Sequence, residues 1–108
     1  MRYAEKTPRK PPMTHAQLRI LQRYGYRMRE NGLLKLAELC RCRRYCCRLG
    51  GPSGSRSKIV VRYKDMLMPV IYDRKQDRVV TVLTMEMLSV QEREAVTAEE
   101  NRRQRRAS

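Results

Sequence analysis

Apolar and polar positions alternate most clearly between residues 58 and 84, in three short runs that are rich in Val, Ile and Tyr. The runs are Lys58 to Tyr63, Leu67 to Asp73 and Arg78 to Thr84, and polar residues separate them. β-Branched and aromatic residues bounded by turn-forming residues are typical of strands. This stretch therefore predicts an antiparallel meander.

The alternation also predicts two unlike sheet faces. Ile59 and Val61 alternate with positions that include Arg62, so one face can pack on helices while the other carries Arg, Lys and Thr toward a partner. Pro69 cannot donate a ladder hydrogen bond. We therefore expect the middle strand to begin near Val70 or to bulge there.

Two helices are predicted before the sheet. Thr14 can cap the first helix, Leu18, Leu21 and Met28 share one side of it, and Gly25 can end it. After the Asn31-Gly32 break, residues 33–49 show a second helical pattern. Its apolar face comprises Leu33, Leu36, Ala37, Cys40 and Cys47. Residues 50–57, which are rich in Gly and Ser, are predicted to form a flexible loop.

The segments together predict an α+β protein with two N-terminal helices on a three- or four-stranded antiparallel sheet. Residues 1–12, with three Pro and four basic residues, read as a disordered basic arm. Residues 13–88 form the single predicted domain. Residues 89–108 are expected to be a charged helix or tail that stays exposed.

The formal net charge of +14 is the strongest compositional signal. Residues 13–50 carry nine basic and two acidic side chains, whereas residues 85–108 are balanced. Such an excess favours a polyanionic partner through counterion release, so we expect RNA as a partner, with the ribosome as a further candidate. No stretch approaches the roughly 20 apolar residues of a membrane span, and no secretory signal is evident, which predicts a cytoplasmic protein.

Four cysteines fall within eight positions, in the pattern C-x-C-x3-C-C: Cys40, Cys42, Cys46 and Cys47. Structural zinc sites use cysteine pairs that are set well apart, so this spacing is poor for one ion. On a helix, Cys42 and Cys46 would form an exposed pair one turn apart. We interpret the four as buried or incidental thiols, with metal binding and redox chemistry as alternatives, and expect no metal or cofactor.

His15, the only histidine, precedes Arg19 by one helical turn. RNA cleavage by the internal 2′-hydroxyl needs a proton carrier near neutral pH and cations around the phosphate, which His and Arg can supply. Thr81 in the last strand could add a hydroxyl. A surface or capping histidine is the alternative reading. Further RNA contacts are predicted from Arg23, Arg27, Arg41, Arg44, Arg62, Tyr63 and Lys64.

H-A-Q-L-R-I-L-Q-R-Y-G at residues 15–25, followed by V-R-Y-K-D-M-L-M-P-V-I-Y-D-R-K-Q-D-R-V-V-T-V-L, resembles the small bacterial and phage domains of the barnase, colicin and RelE-type ribonuclease fold. The resemblance covers about half of the chain. It implies a metal-independent endoribonuclease with His15 as general acid or base, Arg19 and Arg23 at the phosphate, and Thr81 as the sheet hydroxyl. It also implies ribosome-associated messenger RNA as substrate and an antitoxin as partner.

Two other functions remain open. The same basic surface suits a non-catalytic RNA- or ribosome-binding regulator, and a phage-type inhibitor of a host protein is the third hypothesis. The ribonuclease hypothesis requires His15, Arg19 and Thr81 to converge on one cleft, whereas the other two do not.

Overall fold

The computed structural model describes residues 14–107, so the basic arm predicted for residues 1–12 lies outside the described residues. Helices α1 and α2 precede a four-stranded sheet, and a short 3₁₀ helix leads into α3. The bounds are α1 His15–Tyr24, α2 Glu30–Arg41, β1 Cys47–Ser53, β2 Arg56–Tyr63, β3 Met66–Asp73, β4 Arg78–Val82, the 3₁₀ helix Met85–Met87 and α3 Val90–Ala107. The predicted α+β class is confirmed.

The sheet is an antiparallel meander in the order β1-β2-β3-β4. Its last three strands are those that the sequence predicted. The expected start near Val70, or a bulge there, is wrong: β3 begins at Met66 and stays in register with β2 through the Val60 and Pro69 pair. Proline is tolerated here because its nitrogen, which carries no hydrogen, faces the far end of β4. Leu83 lies opposite and donates its N–H to the Pro69 carbonyl at 2.8 Å.

Helix α1 begins and ends where the sequence predicts. The Thr14 hydroxyl accepts from the Gln17 N–H, the Gln17 side chain accepts from the Thr14 N–H, and Gly25 ends the helix with φ 66°. The predicted apolar side is wrong, since Leu18 and Leu21 are exposed. Ala16 and Ile20, one turn apart, face the sheet instead, because the small Ala16 side chain allows α1 to lie close to β4.

The predicted second helix is too long, because α2 ends at Arg41 and Arg43 takes a left-handed conformation with φ 58°. The chain then pairs with β2 as β1, which the sequence analysis assigned to helix and loop. Gly50 breaks the β1 register with β2, and a Cβ at Gly51 would collide with the Arg56 carbonyl oxygen. The glycines therefore permit a tight, irregular edge strand.

The main core lies between the α1 and α2 layer and one sheet face. It contains Leu36 and Cys40, as predicted for α2, together with Met28. The rest of this cluster is Ala16, Ile20, Ala37, Ile59, Val61, Met68, Val70, Tyr72, Val79 and Val82.

Helix α3 covers the opposite sheet face, which was predicted to stay open for a partner. Leu88 and Val96 are buried there against Cys46, Cys47 and Val60. The predicted charged helix is therefore confirmed, whereas the expectation that it stays exposed is wrong for the side that packs on the sheet. The apolar pattern of α3 is weak because Val96 is its buried apolar residue, whereas Glu92 and Glu100 contact the sheet through ion pairs.

Candidate nucleic-acid interface

His15 and Arg19 lie side by side on the exposed side of α1, as the sequence predicted. Arg19 Nε lies 3.4 Å from His15 Nε2 and donates to it, and Arg19 Nη1 donates to the Gln22 side chain at 2.8 Å. The pair is thus an imidazole beside a guanidinium, open to solvent.

Thr81 does not join this pair. It lies opposite Ile71 in the sheet, between positions that face α1, because its neighbour Val82 and the paired Val70 belong to the main core. Side chains alternate along a strand, so Thr81 points to the α3 side of the sheet. The expected convergence of His15, Arg19 and Thr81 is therefore absent.

Arg23 also leaves the predicted cluster. Its Nη1 donates to the Val82 carbonyl at 2.5 Å and its side chain is partly buried. Arg23 lies one turn after Arg19 on the same side of α1, but its side chain reaches the end of β4 and not the His15 and Arg19 pair. Arg23 thus forms a hydrogen bond with the end of β4, and this contact leaves less of its guanidinium accessible to a phosphate.

A groove of about 240 Å³ opens beside His15, between the N-terminal halves of α1 and α2 and the start of β4. Its lining is mostly apolar, with Leu33, Ala37 and Val79 among the lining residues, and four charged or titratable side chains contribute to it. These are His15, Glu30, Asp77 and Arg78. The groove mixes both charge signs, so it is less suited to a phosphate than to an apolar group.

Two arginine-rich segments meet at the C-terminal end of α2. Arg41 Nη1 lies 2.7 Å from Asp77 Oδ2, which joins residues 41–44 to the β3–β4 turn. These segments form the basic end, defined by the exposed Arg41, Arg43, Arg44, Arg74, Lys75 and Arg78. Asp77 is the one acidic residue within them, and hydrogen bonds from Tyr72 and then Arg41 lower its pKa. The sequence predicted Arg41 and Arg44 here.

Arg62, a predicted RNA contact, lies on the sheet face that α3 covers. It pairs with Glu100 of α3, and Lys58 on the same face pairs with Glu92 at 2.9 Å. Acidic side chains of α3 therefore neutralise the basic residues of this sheet face. As folded, Arg62 is not available to an RNA backbone unless the Glu100 contact breaks.

Tyr63 and Lys64 are joined by Tyr26, which the sequence analysis missed. Lys64 Nζ donates to the Tyr26 hydroxyl at 2.8 Å and lies 4.9 Å from the centre of the Tyr26 ring and 5.6 Å from that of Tyr63. The hydrogen bond from Lys64 lowers the pKa of Tyr26, and burial raises the pKa of Tyr63. We call Tyr26, Tyr63 and Lys64 the tyrosine–lysine cluster.

Gly32 of α2 leaves room for this cluster. A Cβ at Gly32 would lie 2.6 Å from Met28 Cγ and 3.0 Å from the Tyr63 hydroxyl oxygen. The predicted Arg27 follows Tyr26 in the chain, and the positive charge of Arg29 also lowers the Tyr26 pKa. The interleaved basic and aromatic residues of R-Y-G-Y-R-M-R, residues 23–29, were the sequence signal for Tyr26.

The cysteines form neither a disulfide nor the predicted exposed pair. All four are free, and of these Cys42 is exposed whereas Cys46 is buried and donates to Glu100 at 3.2 Å. Burial raises the pKa of Cys40 and of Cys46 to about 12. These two thiols are therefore protonated and chemically quiet at neutral pH. Within residues 14–107, no three metal-ligating side chains of His, Cys, Asp or Glu come together.

The comparisons with family models, curated proteins and solved structures found no match to this chain. The resemblance to the barnase, colicin and RelE-type fold therefore stays a prediction. None of the helices in residues 14–107 is both long and apolar enough to cross a bilayer.

Proposed function

We propose that this protein binds RNA as a non-catalytic module, through its exposed basic side chains. The observation that carries the proposal is the basic end, whose two segments hold six exposed cations and one acidic side chain, Asp77, which already pairs with Arg41 and accepts from Tyr72. Arginine suits this role because its planar guanidinium can contact phosphate oxygens with two N–H groups. Tertiary structure joins the two segments, although more than 30 residues separate Arg41 from Arg74.

The excess charge gives the proposal a measurable consequence. For single strands, the slope of log affinity against log salt falls by about 0.7 for each phosphate contact that is lost. Replacing both Arg74 and Lys75 by glutamine should therefore reduce the slope by about 1.4 and weaken binding at low salt. The measurement is fluorescence anisotropy of a labelled RNA in EDTA across a salt series.

Lys35→Gln is a matched control. Lys35 is an exposed cation on α2 whose Nζ lies 3.8 Å from Glu38, so its charge is already partly balanced. We expect a change in slope well below that of the double variant. RNA affinity that does not vary with salt, or equal effects of the double variant and the control, would contradict the proposal.

A metal-independent ribonuclease is the second candidate, favoured by the His15 and Arg19 contact. An imidazole can serve as the proton carrier, and the adjacent guanidinium can stabilise the negative charge of the phosphate transition state. With Thr81 on the other sheet face, this site would work without the predicted hydroxyl. Its substrate would have to reach the open side of α1.

Incubation of the purified protein with total RNA in EDTA, followed by mapping of new ends, tests this second candidate. If it is right, His15→Ala should abolish cleavage, with the loss of an acid or base costing about 10² to 10⁴ in rate, and RNA binding should persist. Thr81→Val should have no effect on cleavage, because Thr81 is remote from His15. Cleavage by His15→Ala at the parental rate would exclude this site.

A further inference from the structure

We propose that the tyrosine–lysine cluster is a subsite for one unstacked base of single-stranded RNA. The inference rests on the proposed RNA-binding function and specifies its substrate class. Two tyrosine rings share one ammonium group at the junction of the α1–α2 connection and the β2–β3 turn. Aromatic rings beside cations are the usual platform on which proteins stack single-stranded bases.

The β2–β3 turn positions Lys64 at a conformational cost. Tyr63 pairs with Met66, so Lys64 and Asp65 form a two-residue loop, and both have positive φ, 50° and 62°. This is the range of a type I′ turn, in which Asn-Gly is strongly preferred because other side chains are crowded. A lysine in this position makes the turn less stable than Asn-Gly would, but it places the ammonium over the rings. Local backbone strain of this kind is found at functional sites.

The Lys64 ammonium can yield its place to a base. A cation–π contact at an exposed site changes an equilibrium constant by roughly 2- to 5-fold. A base stacked on an aromatic side chain contributes roughly 5- to 150-fold per base. The stack is therefore stronger than the cation–π contact. The ammonium also gives up its solvent-exposed hydrogen bond to the Tyr26 hydroxyl, which water can replace, and it can contact the phosphate of the same nucleotide.

The setting of the rings also favours a base over a general polyanion. Gly32 has no side chain, which lets the Tyr63 hydroxyl lie close to α2. Both tyrosines pack partly against the main core. A ring that is already immobile loses little entropy when a base stacks on it. Arg27 and Arg29, which follow Tyr26 in the chain and are exposed, can contact a flanking phosphate.

A duplex cannot use this subsite, because its bases are stacked on each other and must first be unpaired. The proposal therefore predicts discrimination between strands. Anisotropy titrations should compare a short single-stranded RNA with its blunt duplex, in EDTA. Tyr26→Leu should weaken single-strand binding by roughly 5- to 150-fold and leave duplex binding nearly unchanged, whereas Tyr26→Phe, which keeps the ring, should stay within about 5-fold of the parent on single strands.

Tyr45→Leu is the matched control, since Tyr45 is another partly buried tyrosine that packs on the same core. It should not change the ratio of single-strand to duplex affinity. A second arm replaces the turn by Asn-Gly through Lys64→Asn with Asp65→Gly. This variant should melt at a higher temperature and yet bind single strands more weakly, which a purely structural role of Lys64 does not predict.

Ultraviolet crosslinking of bound single-stranded RNA to the unmodified protein gives a result that is independent of how the variants fold. The crosslink should map to Tyr26 or Tyr63. Crosslinks confined to other residues, or equal losses of single-strand and duplex affinity in Tyr26→Leu, would overturn the subsite while the salt-dependent RNA binding stands. If the unmodified protein binds neither RNA at low salt, the proposed function fails and the subsite with it.

Discussion

Replacing Tyr24 by phenylalanine removes the hydroxyl that compensates for a proline in the sheet. Leu83 and Pro69 lie opposite each other, and the Leu83 N–H donates to the Pro69 carbonyl. In an antiparallel hydrogen-bonded pair the reverse bond would run from residue 69 to the Leu83 carbonyl, but proline has no N–H. The Tyr24 hydroxyl donates to that carbonyl instead, at 2.5 Å.

The cost of the substitution follows from the acceptor that it leaves without a partner. An unsatisfied buried polar group costs about 1–3 kcal/mol. Tyr24 is only half-buried, so water can reach part of the site, and we expect Tyr24→Phe to lower the free energy of unfolding by about 1–2 kcal/mol. Burial, followed by the charge of Glu86, also raises the pKa of Tyr24 to about 12, so this hydroxyl remains a donor throughout the neutral range.

Pro69→Ala should reduce this cost, because alanine restores an N–H opposite the Leu83 carbonyl. A double-mutant cycle separates that effect from the cavity and the chain entropy that Pro69→Ala itself changes. We expect Tyr24→Phe to cost about 1 kcal/mol less in the Pro69→Ala background. Urea denaturation followed by circular dichroism measures the four free energies, and an unchanged m-value shows that the same transition is compared.

Tyr72→Phe provides the matched control for the cycle. The Tyr72 hydroxyl donates to Asp77 and has no connection with the Leu83 carbonyl. Its cost should be the same in both backgrounds, within the roughly 0.3–0.5 kcal/mol expected of independent sites. If Tyr24→Phe is equally costly with Pro69 and with alanine at that position, the account of the missing donor is wrong.

Three further expectations concern the residues buried between α3 and the sheet, the thiols and the charge on α3. Val96→Ala should lower the free energy of unfolding by about 2 kcal/mol in urea titrations, whereas Val90→Ala, at a 61% exposed position, should change it by less than about 0.5 kcal/mol. Burial raises the pKa of Cys40 from 9.0 to about 12, so its contribution to stability is complete below pH 9 and is lost as the pH rises toward 12. The urea midpoint should therefore decline less steeply over that range in Cys40→Ala, and an identical decline would contradict this. Glu100→Gln should raise RNA affinity in low-salt anisotropy by releasing Arg62, and unchanged affinity would show that the pair does not mask a contact.

Local patterns determined much of the fold. Thr14 and Gly25 were identified as helix ends because capping depends on neighbouring backbone groups, and the three central strands were identified because β-branched residues alternate along them. The His15 and Arg19 contact was likewise predictable, since residues one turn apart on a helix always face the same side. Each of these features depends on residues that are close in sequence.

Tertiary structure decided the features that depend on distant segments. Cys47 was assigned to a helix face because no Gly or Pro interrupts residues 33–49. In the structure its segment pairs with β2, and β2 would lose these backbone hydrogen bonds if the helix continued. Leu18 and Ala16 lie on different sides of α1, and packing against the sheet buries the side that carries Ala16. Strict alternation places Val79 on the same face as Thr81, but a register shift at the β3–β4 pair, between Ile71 and Tyr72, brings Val79 into the main core. One residue of shift moves a strand side chain to the other face, so this change could not be read from the sequence. Thr81 keeps the face that alternation with Val82 predicts, and it is separated from His15 because α1 packs on the opposite face.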